Sequence, residues 1–335
     1  MRTILAIDAA GPLTTIQDAG RFGHLRHGVT RSGPIDRMAF AAVHAALGNP
    51  PGGAVVELSH GGIALRCVEG TTAFALAGGD FTAQLDGVRL GSWTTGVLHA
   101  GSRLVVRDGP GSNWACLGFV GTIDCNRWLG SAATLALAGL GGGRLASGDR
   151  LAIEAGASGV ATRSLPLPPA AAGPIRVVIG PQAHFFAPEA LAALFAETFH
   201  AAPAFDRMGM VLDGPALLPL SVTMLSAPLV RGAIQVNGAG TPTILLADHQ
   251  TTAGYPRIAT VISADLDRAA QLRPGSPLRF AAVTVDEAIA AARSAAAAQA
   301  DWLRHLMAGQ GSLADRLAGA NLIDGVIDAL TGHRP

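Results

Sequence analysis

The feature that most constrains the fold is punctuation: 43 glycines and 20 prolines cut the apolar sequence into short runs rich in branched residues. Ala54–Leu58, Thr72–Leu76, Arg103–Arg107, Arg176–Ile179, Thr243–Leu246 and Ala259–Ile262 are each bounded by turn residues and read as strands. Helices are few. Pro34–Leu47 carries proline in its first turn, apolar residues at helical spacing, and Gly48 where a C-terminal cap belongs. Pro188–Phe199 opens on Pro-Glu in the same way. Thr284 and Glu287 form a capping-box pattern before an alanine-rich helix that the spacing extends to Met307, and Ser312 opens a last helical stretch toward Leu330. The expectation is a mainly β fold with a few helices and a helical C-terminal tail.

At 335 residues, two domains are the default. The stretch Gly156–Gly173 is dominated by Ala, Pro, Ser and Gly without periodicity, the composition of a linker. Domains over 1–157 and 174–285, followed by a tail over 286–335, are therefore expected. The two sides also echo each other at an offset of about 170 residues, which suggests duplication. Gly11-Pro12 answers Gly180-Pro181, and Asp36-Arg37-Met38 answers Asp206-Arg207-Met208. Leu76-Ala77 before Asp80 answers Leu246-Ala247-Asp248, and Gly101-Ser102 before Leu104 answers Gly275-Ser276 before Leu278.

Composition closes off several functions. Formal charge is zero and basic residues are scattered, which gives no footprint for nucleic acid or an anionic membrane. No apolar run approaches the roughly 20 residues that span a bilayer. The opening residues lack a secretory signal, so a cytoplasmic protein is expected. All 24 basic residues are arginine. Without lysine the chain can carry no Schiff base, no P-loop lysine and no covalent biotin. Cys67, Cys116 and Cys125 are odd in number and form no C-x-x-C pair, and His24 and His27 have no acidic or cysteine partner at a ligand spacing, so no metal is expected.

Three segments concentrate polar groups. The first, Thr14–Arg21, brings Thr15, Gln17, Asp18 and Arg21 around one turn, where they can orient a polar ligand or bond the local backbone. In the second, Ser32, Gly33 and Asp36 approach a helix N-terminus, which can hold an anion or simply be capped. The third, Asp248–Pro256, places Asp248, His249, Gln250, Thr251, Thr252 and the chain's single tyrosine, Tyr255, after a buried-looking strand. So many polar groups are costly to fold unless they meet a ligand, a partner or each other. Gln235 joins them if its strand neighbours this one.

The order of these segments resembles the biotin-dependent carboxyltransferase family, which includes the carboxyltransferase A/B region of urea amidolyase, the C subunit of bacterial 5-oxoprolinase and the Kip antagonist protein. The family pattern PG-x-x-TTIQD-x-GR appears as Gly11-Pro12 through Arg21, SG-x-x-D as Ser32-Gly33 with Asp36, and DRMG as Asp206–Gly209. IQV appears as Ile234–Val236, and AD-x-QTT-x-GYP ends the series at Asp248–Pro256. The match runs from Thr3 to Val285. Departures lie at Leu129–Thr134 and Gly141–Arg144, where a family serine and aspartate are missing, at His249 in place of arginine, and at Ala253 in place of glycine.

This resemblance implies two cyclophilin-like β-barrel domains and a partner, the carboxyltransferase C/D or Kip-inhibitor-like subunit, together with a 5-oxoprolinase A subunit or a biotin carboxylase. It implies biotin on a separate carrier or, in the 5-oxoprolinase case, ATP used by the complex without biotin. The expected activity is ATP-linked opening of 5-oxoproline or biotin-dependent carboxyl transfer to a small amide or ureido substrate. The alternative is a non-catalytic protein that antagonises a kinase inhibitor. Both chemistries develop negative charge on an amide oxygen, which calls for preorganised donors and one proton-handling group. Asp248, Tyr255 and Gln235 are expected as catalytic residues. Thr15, Gln17, Asp18, Arg21, Ser32, Gly33, Asp36, Arg207, Gln250, Thr251 and Thr252 are expected to bind substrate, the arginines by pairing carboxylates.

Overall fold

The computed structural model describes residues 2–154 and 159–308. Residues 2–154, with one short strand from the following segment, build two sheets facing each other. The seven-stranded sheet runs Thr122–Asp124, Arg150–Glu154, Arg2–Ala10, Ile63–Glu69, Arg103–Arg107, Thr82–Leu85 and Val88–Gly91. The six-stranded sheet runs Arg163–Ser164, Thr94–His99, Thr71–Ala77, Ala115–Phe119, Val55–Leu58 and Thr15–Gln17. Leu5, Leu58, Leu65, Phe74, Leu76 and Phe81 are fully buried between them. Burial on this scale, at about 25 cal/mol per Å² of apolar surface, is the main stabilising term.

The helix Arg37–Leu47 covers the outer face of the six-stranded sheet through Ala39, Val43, Ala46 and Leu47, against Ala73, Ala75 and Cys116. Asp36 caps its N-terminus by accepting from Ala39 N at 2.8 Å, and Gly48 ends it in the left-handed conformation (φ 67°). That cap is the structural alternative left open for Asp36.

Residues 175–282 form one eight-stranded sheet in the order Pro277–Leu278, Phe199–Phe205, Gly209–Asp213, Pro242–Leu245, Ala233–Val236, Arg257–Val261, Ile175–Ile179 and Phe280–Ala282. Its two edge strands are consecutive in sequence, separated only by Arg279. The sheet must therefore curl until its edges almost meet, giving a nearly closed barrel around Val177, Phe199, Leu212, Ile234, Ile244 and Ile258. The chain is thus mainly β with four helices among the described residues, as the run lengths imply.

The C-terminal helix Val285–Ala308 begins with the expected capping box: Thr284 N donates to Glu287 Oε2 at 2.7 Å, and Glu287 N donates to Thr284 Oγ1 at 3.2 Å. Its last turns return to the first half, where Trp302 packs edge-on against Trp93 at 5.8 Å. None of the described helices is long and apolar enough to cross a membrane. The stretch from Ser312 to Leu330 lies outside the described residues.

Three sequence expectations need correction. The helix from Pro188 stops at Ala196, because Phe199 is drawn into a strand pairing with Leu278 and is fully buried in the barrel. Part of the linker-like stretch is integrated: Arg163–Ser164 pairs with Thr94–Thr95, and Leu165 is buried. Of the sequence echoes, Asp36 caps a helix while Asp206 sits in a tight turn of a hairpin, so those two are not equivalent. The last echo is a real structural repeat. Gly101 N bonds Cys67 O and Cys67 N bonds Ser102 O, while Gly275 N bonds Ala201 O and Ala201 N bonds Ser276 O.

Candidate functional site

The Thr14–Arg21 segment crosses the first half and is fastened to Trp128–Thr134. Asp18 Oδ1 accepts from Ser131 Oγ (2.6 Å), Gly20 N (2.9 Å) and Ala133 N (3.2 Å), and Oδ2 accepts from Ala132 N (2.6 Å). Gln17 Nε2 donates to Thr15 Oγ1 at 3.0 Å and Thr134 O at 3.1 Å, while its buried Oε1 has no partner. Arg21 donates to the carbonyls of Trp128 (3.4 Å) and Ala133 and lies over the Trp128 ring at 5.1 Å; burial lowers its pKa. Its Nη1 reaches Ser32 Oγ at 3.4 Å. Ser32 and Gly33 are both left-handed (φ 53° and 86°), and the hydroxyl of Ser32 is thereby turned toward Arg21 rather than into solvent. Asp18 and Arg21 are therefore buried and committed to the chain's own groups, as is the amide N–H of Gln17 though not its Oε1, and the three act as positioning residues for the loop.

The two halves are locked together by a buried ionic network that the sequence reading only half saw. Arg207 donates through Nε to Asp248 Oδ2 at 2.9 Å and through Nη2 to Asp248 Oδ1 at 3.1 Å, a bidentate pair. The same guanidinium reaches across to the first half, contacting Glu57 Oε1 and donating to Gly33 O at 2.6 Å. Glu57 Oε2 in turn accepts from Ile35 N at 2.7 Å. Burial pushes the Glu57 carboxyl up against the pull of Arg207, whereas the two carboxylates hold Arg207 firmly charged despite its desolvation. Glu57 was missed by sequence reasoning. Its signal was a lone carboxylate inside the apolar run Val55-Val56-Glu57-Leu58.

A second buried contact between the halves is built around Gln271. Its Nε2 donates to Asp36 Oδ2 at 2.7 Å and Trp114 O at 2.9 Å, and its Oε1 accepts from Trp114 N at 2.9 Å. Burial, and then the neighbouring Asp267, raise the Asp36 pKa from 3.8 to about 6 against the opposing bonds from Ala39 and Gln271. A folded state that holds this proton more tightly than the unfolded chain draws stability from it fully below pH 3.8 and loses it as pH rises through about 6. Asp36→Asn should abolish that loss. The wild-type minus variant stability, measured by urea unfolding, is expected to fall by up to about 3 kcal/mol across that window. A difference flat with pH would show that Asp36 is ionised throughout.

Two open cavities flank the turn at Asp206–Met208. One, of about 360 Å³, is lined by Thr15 and Arg144 from the first half and by Arg207 and Asp248 from the second. The N-terminal segment and the Asp248 loop meet at one cleft through Thr15, whereas Gln17 is buried and does not line it. The other, of about 470 Å³, is lined by Phe205, Met208, Gln235, Asn237, Gln250 and Tyr255. The strand of Gln235 lies between those of Pro242–Leu245 and Arg257–Val261, which is the adjacency its role required. Gln235 Nε2 donates to Tyr255 O at 3.3 Å, and Gln250 Nε2 donates to Gln235 Oε1 at 3.4 Å. Tyr255 is 49% exposed at the rim. Thr251 and Thr252 sit farther along: Thr251 O accepts from Leu229 N, and Thr252 opens a two-residue strand paired with Ala227–Pro228. The expected catalytic set is therefore divided, Gln235 and Tyr255 on one cavity and Asp248 on the other.

No group of three or more metal-ligating side chains occurs among the described residues. Residues 27–282 match the family model for the carboxyltransferase domain, subdomain A and B. The chain belongs to this family. It is 32% identical over 298 residues to the C subunit of 5-oxoprolinase from Escherichia coli (strain K12), covering 86% of this chain and 94% of that one. It is 29% identical over 308 residues to urea amidolyase of Saccharomyces cerevisiae, but those residues are 83% of this chain and only 16% of the yeast protein. The crystal structure of Kluyveromyces lactis urea carboxylase superposes with a TM-score of 0.81 at 24% identity, over 93% of this chain and 30% of that one, a likeness of fold.

Proposed function

We propose that this carboxyltransferase-family chain is one subunit of a 5-oxoprolinase or urea amidolyase type complex, and that it binds a small amide or ureido substrate in the cavity of Gln235, Gln250 and Tyr255. The observation that carries the reading is the pairing of two carboxamides whose only side-chain bonds among the described residues are long, at 3.3 and 3.4 Å. Bonds at that length are weak, so the donors and acceptors of both groups are available to the N–H and C=O of an amide. Tyr255, at the rim, is the group placed to move a proton or to steady a developing oxyanion. Asp248 acts through Arg207, as a positioning residue that fixes the turn between the two cavities.

The partner that best fits is the Kip-inhibitor-like, carboxyltransferase C/D subunit, and a chain without lysine must receive biotin on a separate carrier or leave ATP chemistry to another protein of the complex. A protein partner is supported by surface composition beside the cavity. Leu218, Leu220 and Leu225 are 59, 68 and 90% exposed, and the same loop runs past Gly238 and Gly254, the neighbours of Asn237 and Tyr255. Isolated exposed leucines are ordinary, but a run of them next to a cavity is the kind of surface that another protein covers.

The test is ATP hydrolysis by the chain with its partner subunits, dependent on 5-oxoproline or on urea. Gln235→Ala is expected to raise KM about tenfold, and Tyr255→Phe to lower kcat about a hundredfold. Unchanged turnover in both variants would remove this cavity from the chemistry. Tight partner binding with no substrate-dependent turnover in the wild type would leave the regulatory role of a kinase-inhibitor antagonist in its place.

A further inference from the structure

A third cavity, of about 390 Å³, is lined by residues of both halves. Its lining includes Arg31, Arg37, Arg231 and His249 and no carboxylate. Of the three guanidiniums only Arg37 forms an ion pair among the described residues, with Asp267 at 2.8 Å. Arg231 donates to two neutral acceptors, Pro34 O at 2.9 Å and Ile35 O at 2.5 Å, and its buried Nε–H has no acceptor. Arg31 lies over the Phe22 ring at 3.8 Å and pairs with no acid among the described residues.

Arg231 is the costly one, because a largely desolvated guanidinium needs an anion more than a surface one does, and the acid it feels most is Asp267, which Arg37 already pairs; Arg31, exposed at the surface, adds a second cation. Apart from Ser32 the remaining lining is apolar and includes Leu25, Phe40, Leu229 and Leu266. Such a space suits a ligand with one anionic head and a short hydrocarbon body rather than a bare inorganic ion. The head needs planar, bidentate acceptors to match a guanidinium, which is what a carboxylate offers.

We propose that this cavity is a binding site for a small organic carboxylate, its charge set against Arg231 and Arg31 and its body against Leu229, Leu266 and Phe40. The site is separate from the amide-lined cavity and does not depend on which substrate that cavity takes. His249 is kept neutral by burial and accepts no part of the charge; its Nδ1 is held by Gln250 O at 2.6 Å. Gln250, which lines the amide cavity, is thereby tied to a residue lining this one.

The experiment is calorimetric titration of the full chain with hexanoate, with hexanamide as the neutral isostere and inorganic phosphate as the anion lacking a hydrocarbon body. Hexanoate is expected to bind at least about tenfold more tightly than either control. Arg31→Gln, at an exposed residue whose side chain makes no hydrogen bond among the described residues, is expected to weaken hexanoate about tenfold while leaving the unfolding midpoint near wild type. Arg231→Gln should weaken it further if the variant folds, and Arg31→Gln decides the matter if it does not. Tyr255→Phe should leave hexanoate affinity unchanged. Equal binding of hexanoate and hexanamide, phosphate binding as tight as hexanoate, indifference to Arg31→Gln, or loss of binding in Tyr255→Phe each overturns the proposal. The last of these would move the ligand into the amide cavity without bearing on turnover there.

Discussion

Arg207→Met is expected to destabilise the protein by about 3–5 kcal/mol, the cost of leaving a buried charge without its partner. The penalty falls on two carboxylates at once. Glu57 keeps its bond from Ile35 N but loses its cation, and Asp248 loses both arms of a bidentate pair. Gly33 O is also left without its donor. Without the guanidinium, nothing but the bond from Ile35 N opposes the burial that raises the Glu57 carboxyl, so the folded variant takes up a proton there as pH falls. Its deficit relative to wild type should therefore shrink from neutral pH toward about pH 5. Adding Glu57→Gln to Arg207→Met should recover part of the loss, since a neutral amide no longer needs a counter-charge. Urea unfolding followed by tryptophan fluorescence measures all three. A deficit below about 1 kcal/mol would mean that water reaches the network and screens it.

What the sequence made legible was local. Branched runs between glycines became strands because a half-buried pleated surface suits them, and proline, aspartate and glycine at the ends of Arg37–Leu47 mark a helix that tertiary packing only reinforces. Pro188–Ala196 ends earlier than its pattern because Phe199, apolar and in helical register, has more to gain inside the barrel. Polar clusters in the sequence mark places where something must be satisfied. What the residues alone cannot distinguish is whether the satisfying group is a ligand or another part of the chain. Asp18 and Arg21 found Trp128–Thr134, more than a hundred residues away, and Arg207 found Glu57 across the two halves. Gln235, Gln250 and Tyr255 were left facing an open cavity with spare hydrogen-bonding capacity. Arg207, expected to pair with a carboxylate substrate, is already paired with two acids of the chain, while Arg231, which no motif marks, meets only neutral acceptors among the described residues.

Asp18→Ala should be nearly as damaging, by about 4 kcal/mol, although it removes no contact between the halves. Its carboxylate is 5% exposed and accepts from three backbone amides and one hydroxyl. Each buried donor left unmet costs about 1–3 kcal/mol, less where water can enter. Three of the four donors belong to consecutive residues, Ser131, Ala132 and Ala133, so the deletion frees one loop rather than spreading over the sheet. Gln17 and Arg21 grip that same loop as donors, through Thr134 O and Ala133 O, so these bonds do not replace the lost acceptor. Amide hydrogen exchange at Ala132 and Ala133 should therefore quicken well beyond the change in global stability, while amides in the barrel of residues 175–282 track the global value. Asp18→Asn separates charge from geometry. Its single oxygen can serve the three donors now shared by Oδ1, but its amide then confronts Ala132 N, donor against donor, so a loss of about half the alanine value is expected. Equal losses for the two variants would mean that the negative charge, facing Arg127 at 3.5 Å, matters more than the hydrogen bonds. The wall carrying Leu135 then follows the loop: the cleft where Thr15 meets Asp248 should widen in either variant, to a degree set by how many of those donors remain satisfied.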